Sequence, residues 1–478
     1  MSELEQWTIE TYIRDIGKHE GAAILLDNDI HITYQQLNHL IDHNAALLHA
    51  HVPESSVITI DVALSWRFIP LMLAALKLHR TVIPTDDIHD QRLTQSVSAA
   101  FPNALRLDES NVHASGYVDA ASFSRLTSPS DPQLADVALL LQTSGTSGYP
   151  KLVMLTHKNL VSSSIGIADS LHLLPHDRIL IQRPLTYCSA LTGELLAGLA
   201  AGCSVMIKPP SRSPLFSLSL VEKYRITTIG ASPTLFAMLA PHVSKHDLSS
   251  LHTLLISGER LTEPLLHTIR SGFPNRSLWN AYGLTEASPR VSCLLIEPDE
   301  LPSACVGKPL RHVRVAVVDD IGKPVPEGES GHLLVSGPNV MKGYYSDPEQ
   351  TRSKLHSGWL ITGDRGHIRQ GMIVIEGRAD HMINRAGNNI YPEEIESAVA
   401  ECPGVCEAFA FGKPHPRRGA EIHVWITRDD GVQTANDVHQ HLLQSGVSPK
   451  LWPDVIVVRT DLPKTASGKL SRSAISYS

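Results

Sequence analysis

The amino-acid sequence predicts an α/β protein. A large N-terminal domain holds two α/β sheet subdomains and a small β-rich subdomain, and a small α+β domain follows at the carboxyl end. Three observations carry this. Strand-like and helix-like apolar patterns alternate through residues 1–125 and again through 157–290, as in largely parallel sheets covered by helices. Between residues 305 and 376 the pattern shortens to alternating strands separated by Pro, Gly and Asp turns. Beyond Gly377-Arg378-Ala379-Asp380 the texture becomes that of a compact α+β unit, so the domains are expected at 1–379 and 380–478.

In chain order, Thr33-Tyr34-Gln35-Gln36-Leu37 opens an amphipathic helix through Leu40, Ile41, Leu47 and Leu48. A strand at Val57-Ile58-Thr59-Ile60-Asp61-Val62, a helix over residues 70–78 and a strand at Thr81-Val82-Ile83-Pro84 follow. Thr127-Ser128-Pro129-Ser130-Asp131-Pro132 reads as a linker into the buried strand Val137-Ala138-Leu139-Leu140-Leu141. Val153-Met154-Leu155 leads to Thr156, which can cap a new helix. Further strands are expected at 179–181, 204–207 and 253–256, and β-rich ones at 313–318, 331–335 and 372–375. A helix at Pro392-Glu393-Glu394-Ile395-Glu396 belongs to the last unit.

The 478 residues suffice for two or three domains, and 42% hydrophobic with 19% charged residues is ordinary for a globular protein. A net charge of −8 offers no footprint for nucleic acid or an anionic membrane, so neither is an expected partner. The N-terminus lacks a basic-then-apolar signal segment, and the most apolar stretch, 190–207, is interrupted by Glu194 and glycines. The six cysteines make neither a disulfide framework nor a zinc site, which fits a reducing cytoplasm.

The chemistry is expected around Gln142-Thr143-Ser144-Gly145-Thr146-Ser147-Gly148-Tyr149-Pro150-Lys151. Hydroxyls and backbone N–H groups converge in such a loop, glycines admit a ligand close to the backbone, and Lys151 adds a mobile cation. Phosphate is the ligand this suits. The Walker pattern G-x-x-x-x-G-K-[ST] is absent, because Gly145 and Gly148 stand too close and Pro150 intervenes before the lysine. Four other stretches carry candidate groups: Ser257-Gly258-Glu259-Arg260, Asn280-Ala281-Tyr282-Gly283-Leu284-Thr285-Glu286, Trp359-Leu360-Ile361-Thr362-Gly363-Asp364 with Arg378, and Leu462-Pro463-Lys464-Thr465-Ala466-Ser467-Gly468-Lys469. Singly, each is an ordinary turn or a solvated cation. Together, in this order over residues 142–469, they resemble the adenylate-forming superfamily of acyl- and aryl-CoA synthetases, nonribosomal-peptide adenylation domains and luciferases.

The resemblance implies ATP and Mg²⁺ as cofactors and a role for each matching residue. Thr143 to Gly148 and Lys151 would hold phosphates, Tyr282 beside Gly283 would stack on adenine, and Gly258 and Glu259 would border adenine and the acyl pocket. Thr285 would contact a phosphate and Glu286 would hold Mg²⁺, a hard cation that takes carboxylate and phosphate oxygens. Asp364 would accept from both ribose hydroxyls, with Arg378 reaching the same sugar. Lys469 would bridge carboxylate and α-phosphate as charge develops between them. In the superfamily the small domain is mobile; the hinge would be Asp380, and Gly387 would line a pantetheine tunnel. Departures are Leu78-His79-Arg80 after Lys77 without the usual glycine, Leu152 for a frequent glycine and Asn384 for a frequent lysine.

The reaction so implied is attack of a carboxylate on the α-phosphate of ATP, then displacement of AMP by a thiol. CoA is the first expectation for the thiol, with Arg417-Arg418 as candidate cations for its phosphates; the phosphopantetheine arm of a carrier protein is the alternative. A rival from another class is an inactive nucleotide-binding homologue, against which Lys151, Glu286, Asp364 and Lys469 all stand. The pocket residues Tyr187, Ser189, Ser232 and Gly258 offer no carboxylate for an α-ammonium group. An aryl or short-to-medium acyl acid is therefore expected rather than an amino acid.

Overall fold

The computed structural model describes residues 7–27, 30–54, 56–86, 91–119, 131–143, 151–208, 215–297, 304–385, 388–415, 418–428 and 435–463. A six-stranded sheet runs in the order Gly343–Tyr344, Lys151–Thr156, Val137–Thr143, Val82–Thr85, Ile58–Asp61 and Leu105–Leu107. Its inner strands are parallel, and Val137–Thr143 turns back antiparallel into Lys151–Thr156. Thr143 and Lys151, which bracket the candidate phosphate loop, therefore pair across adjacent antiparallel strands. Thr156 caps the following helix His157–Ser170 by accepting from the Asn159 N–H, as the sequence predicts.

Helix Phe68–Lys77 is apolar on every side, and every residue from Phe68 to Leu76 is buried. A helix of that composition has to be covered all round. It belongs to the main core cluster, with side chains from both large sheets.

The second sheet has 14 strands and contains a parallel set: Ala22–Leu25, Ser204–Ile207, Arg178–Ile181, Thr228–Ala231, Thr253–Ser257 and Ser277–Tyr282. Two features depart from a simple reading of consecutive units. The first hairpin, Ala22–Leu25 with His31–Thr33, joins this sheet instead of the one built by residues 58–107. Buried hydroxyls anchor it there: Tyr34 Oη donates to the Cys203 carbonyl at 2.7 Å, and Ser204 Oγ to the Ala22 carbonyl at 2.7 Å. The β-rich stretch is also continuous with the second sheet. Strand Cys305–Pro309 pairs with Ser292–Ile296 at one end and Met372–Arg378 at the other. Gly307 permits this: its φ is +88°, and a Cβ there would lie 2.2 Å from the Cys293 carbonyl oxygen.

After residue 380 the chain forms a three-stranded sheet, Val405–His415, Gly419–Arg428 and Val455–Val458, covered by helices Pro392–Ala400 and Ala435–Gln444. It has its own core around Ile395, Val424, Ile426, Val438 and Leu442. The mixed-sheet α/β architecture with a compact carboxyl-terminal α+β part is the fold class predicted.

Candidate active site

The site gathers at the carboxyl ends of the parallel strands, where open α/β sheets leave a crevice. Strand Thr253–Ser257 delivers Gly258 and Glu259; strand Ser277–Tyr282 delivers Tyr282 and Gly283. Gly258 has φ +95°, and a Cβ on Gly283 would sit 1.9 Å from the Pro289 carbonyl oxygen. Both glycines are exposed, so the backbone is open to a ligand at both strand ends. Glu259 accepts from Thr234 Oγ1 at 2.8 Å.

Asp364, on strand Trp359–Arg369, is buried beside this edge. Tyr282 Oη donates to its Oδ2 at 2.5 Å, and Arg378 Nη1 to its Oδ1 at 3.3 Å. Register explains the second contact, because Asp364 and Arg378 face each other on adjacent antiparallel strands. Burial pushes the Asp364 carboxyl above the usual range, against the opposing pull of Arg378 and the Tyr282 hydroxyl. Arg378 also donates to both oxygens of Asp380, at 3.1 and 3.3 Å. Burial acts upward on Asp380, but those hydrogen bonds and the guanidinium charge outweigh it and hold the carboxyl low.

Thr285 and Glu286 lie on a short helical turn after Leu284, both half-buried. Glu286 Oε1 accepts from Tyr344 Oη at 2.8 Å, and Lys151 Nζ sits 5.4 Å above the Tyr344 ring while donating to Gln350 Oε1 at 2.9 Å. Burial and then the Glu286 charge push the Tyr344 phenol upward. Lys354 completes this side: burial, then the Arg378 charge, lower its ammonium, with Glu286 and Asp380 opposing. Tyr344, Gln350 and Lys354 escaped the sequence reading. The Asp347-Pro348 start of helix Pro348–Lys354 was a legible signal for the last two, since Asp347 caps it through the Gln350 N–H at 3.0 Å.

Toward the acid side, Tyr187 is 42% exposed and starts the turn that carries Ser189. Ser232 Oγ accepts from the Leu235 N–H at 3.2 Å as a helix cap. Behind them lies a charged set that the sequence reading passed over. The π-helical turn Leu191–Leu196 buries Glu194 in a close ion pair with Arg183, and Arg183 Nη1 donates to Ser257 Oγ at 2.9 Å. Ser144, Gly145, Thr146, Ser147, Gly148, Gly387, Arg417 and Lys469 lie outside the described residues.

Residues 14–345 match the AMP-binding enzyme family, and residues 394–469 match the AMP-binding enzyme C-terminal domain. The chain belongs to the AMP-binding enzyme family. It is accordingly an AMP-forming acid–thiol ligase that activates a carboxylic acid with ATP. Among family members, feruloyl-CoA synthase of Amycolatopsis sp is 34% identical over 347 residues, covering 72% of this chain and 70% of that protein. A long-chain-fatty-acid–CoA ligase of Bacillus subtilis is 31% identical over 353 residues, 73% of this chain and 62% of that one. The solved structure of o-succinylbenzoate CoA synthetase from Bacillus subtilis, with its acyl-adenylate intermediate, superposes with a TM-score of 0.80 at 25% identity, covering 97% of both chains.

No helix among the described residues is long and apolar enough to cross a membrane. No group of three or more metal-ligating side chains occurs among them either, and Glu286 offers a single half-buried carboxylate at the strand ends. That donor suits a cation whose other ligands are phosphate oxygens and water.

Proposed function

We propose that this ligase converts an aryl or short-to-medium acyl acid to its adenylate and passes the acyl group to CoA. The carrying observation is the convergence of Tyr282 and Arg378 on Asp364, at 2.5 and 3.3 Å, beside the exposed Gly258 and Gly283. In this reading the Tyr282 ring and the glycine backbones bracket adenine, and Asp364 accepts from the ribose hydroxyls. Lys151 and the residue 143–148 loop face the phosphates, with Thr285 beside them. Glu286 would hold Mg²⁺, which supplies charge neutralisation to the triphosphate.

The carboxylate oxygen attacks the α-phosphorus, the bond to the bridging oxygen breaks, and pyrophosphate leaves. Lys469, brought in by the domain that begins at Asp380, holds the two anions together. The thiolate of CoA, entering past Gly387, then attacks the acyl carbon and releases AMP. The protein supplies placement and charge rather than covalent chemistry.

Two observations refine the substrates. Glu194, the first acid after Tyr187 in the sequence, is committed to Arg183, which leaves no carboxylate at Tyr187, Ser189, Ser232 or Gly258 for an α-ammonium group. On the carboxyl-terminal domain, Arg385 and Arg418 both pair with Asp454, at 2.6 and 3.2 Å, and the Arg418 side chain is 53% exposed. That supports CoA, with its phosphates, over a carrier-bound arm. Acid-dependent ATP–pyrophosphate exchange, followed by thioester formation with CoA and with pantetheine, is the test. Exchange confined to α-amino acids would defeat the acid class, and equal use of pantetheine would defeat the CoA site.

A further inference from the structure

Against Ser257, which precedes Gly258, and Gly230, two residues before Ser232, lies a second polar layer built from Arg183, Glu194 and Arg290. A Cβ on Gly230 would lie 2.7 Å from Glu194 Oε1 and 3.1 Å from Arg183 Nη2. A Cβ on Gly193 would lie 3.3 Å from Pro289 Cγ and 3.5 Å from Arg290 Nη2. The absent side chains of the two glycines thus let the charged groups pack directly against the backbone. Arg183 binds Ser257, the residue that precedes Gly258, so the layer is continuous with the wall assigned to the acid.

The charges in this layer do not balance. Two guanidinium groups face one carboxylate, and Arg290 is only 2% exposed. Besides burial, the ionisable groups that act on it most are the Cys293 thiol, Arg183, Glu194 and the Cys188 thiol. Burial pushes the Cys188 thiol up to about 12 and raises that of Cys293, so neither supplies a negative charge at neutral pH. The hydrogen-bond count is uneven in the same sense. Arg183 Nε, Arg290 Nε and Arg290 Nη2 are buried donors without acceptors, against one unused acceptor, Glu194 Oε2. Buried guanidinium groups ordinarily carry their full set of acceptors, and a group able to fill this set brings oxygens and negative charge.

We propose that this layer is a subsite for a second carboxylate on the substrate. The enzyme then takes a dicarboxylic acid, activated at one end and held at the other by Arg290 with Arg183. The proposal rests on the acid-activating reading above and narrows its substrate. Glu194 keeps Arg183 in place, and Arg290 reads the distal carboxylate, in the bidentate manner that suits a guanidinium group.

The test is calorimetric titration of the full chain with succinate, glutarate, adipate and benzene-1,4-dicarboxylate against butyrate, pentanoate, hexanoate and benzoate. At least one dicarboxylate should bind about tenfold or more tightly than its monocarboxylate partner, the scale of a charge-assisted hydrogen bond. Arg290→Met should abolish the preference while monocarboxylate binding persists, and Arg290→Lys should keep part of it. In pyrophosphate exchange the preference should appear in KM rather than kcat. Equal binding of both acid classes by the unmodified enzyme overturns the subsite, as does an Arg290→Met variant that weakens both alike. If Arg290→Met does not fold, the unmodified enzyme and Arg290→Lys still decide. Dicarboxylate binding without exchange on any acid would defeat the ligase reading and leave the subsite standing.

Discussion

Replacing Asp364 by asparagine separates nucleotide recognition from folding. The carboxylate is buried and raised by that burial, so its charge costs the native state free energy. Asp364→Asn removes this cost and keeps one oxygen acceptor for Tyr282 or Arg378, and Arg378 retains Asp380 at 3.1 Å. The melting temperature should therefore hold. Nucleotide binding should not. Two ribose hydroxyls donating to a carboxylate contribute about 1.5–3 kcal/mol each; the amide loses one bond and weakens the other to about 1 kcal/mol. The expected loss is about 2–5 kcal/mol, or roughly 30- to 5,000-fold in the KM for ATP. The assay is pyrophosphate exchange run as a cycle, ATP against 2′,3′-dideoxy-ATP in both proteins. The deoxy analogue should discriminate strongly in the native enzyme and weakly in the variant. An equal penalty for the analogue in both would show that Asp364 does not read the ribose.

Lys469→Ala should lower acid-dependent pyrophosphate exchange by orders of magnitude while a supplied acyl-adenylate is still converted to thioester at a near-normal rate; equal loss of both steps removes the assigned role. Asp380→Pro fixes φ near −65° and restricts Ala379 before it, so adenylate should still form while thioester formation collapses. Normal overall turnover would exclude rotation there. His157 is buried with neither ring nitrogen hydrogen-bonded, and burial, then His79, lower its pKa from the ordinary 6.5 to about 4. The unfolded chain takes up a proton that the folded one refuses, so stability is full above about pH 6.5 and falls as pH drops toward 4. The loss between pH 7 and 5 is about 2 kcal/mol. Urea melts should show His157→Phe without that share of the pH dependence; parallel curves for both proteins would refute it.

The elements that were legible in the sequence are those set by local pattern. Residues 137–141 are a run of buried apolar residues, helix Tyr34–His51 begins at Thr33 with a capping box through Gln36, and Thr156 does the same for His157–Ser170. Pairing between distant strands left no such trace. Nothing in Cys305–Pro309 tells which two strands it bridges, because that depends on Gly307 approaching the Cys293 backbone. The first hairpin likewise reaches the second sheet through Tyr34 and Ser204, whose hydroxyls look like any others in the sequence.

The site divides along the same line. Tyr282, Glu286, Asp364 and Arg378 sit in short motifs whose joint order along the chain carries the resemblance. Their partnerships span 82 residues from Tyr282 to Asp364, 58 from Glu286 to Tyr344 and 199 from Lys151 to Gln350, so only the fold makes them neighbours. Arg290 is the extreme case. In Ala287-Ser288-Pro289-Arg290 it reads as a turn followed by a surface cation, the ordinary fate of an arginine. Its burial follows from Gly193 packing on Pro289, a contact a Cβ would crowd, and from Gly283 meeting the Pro289 carbonyl, an approach a Cβ would forbid. Local motifs thus identify the nucleotide chemistry that a family shares. Long-range packing decides which charges are buried behind Ser257 and Gly258, and the proposed preference for a dicarboxylic acid rests on those charges.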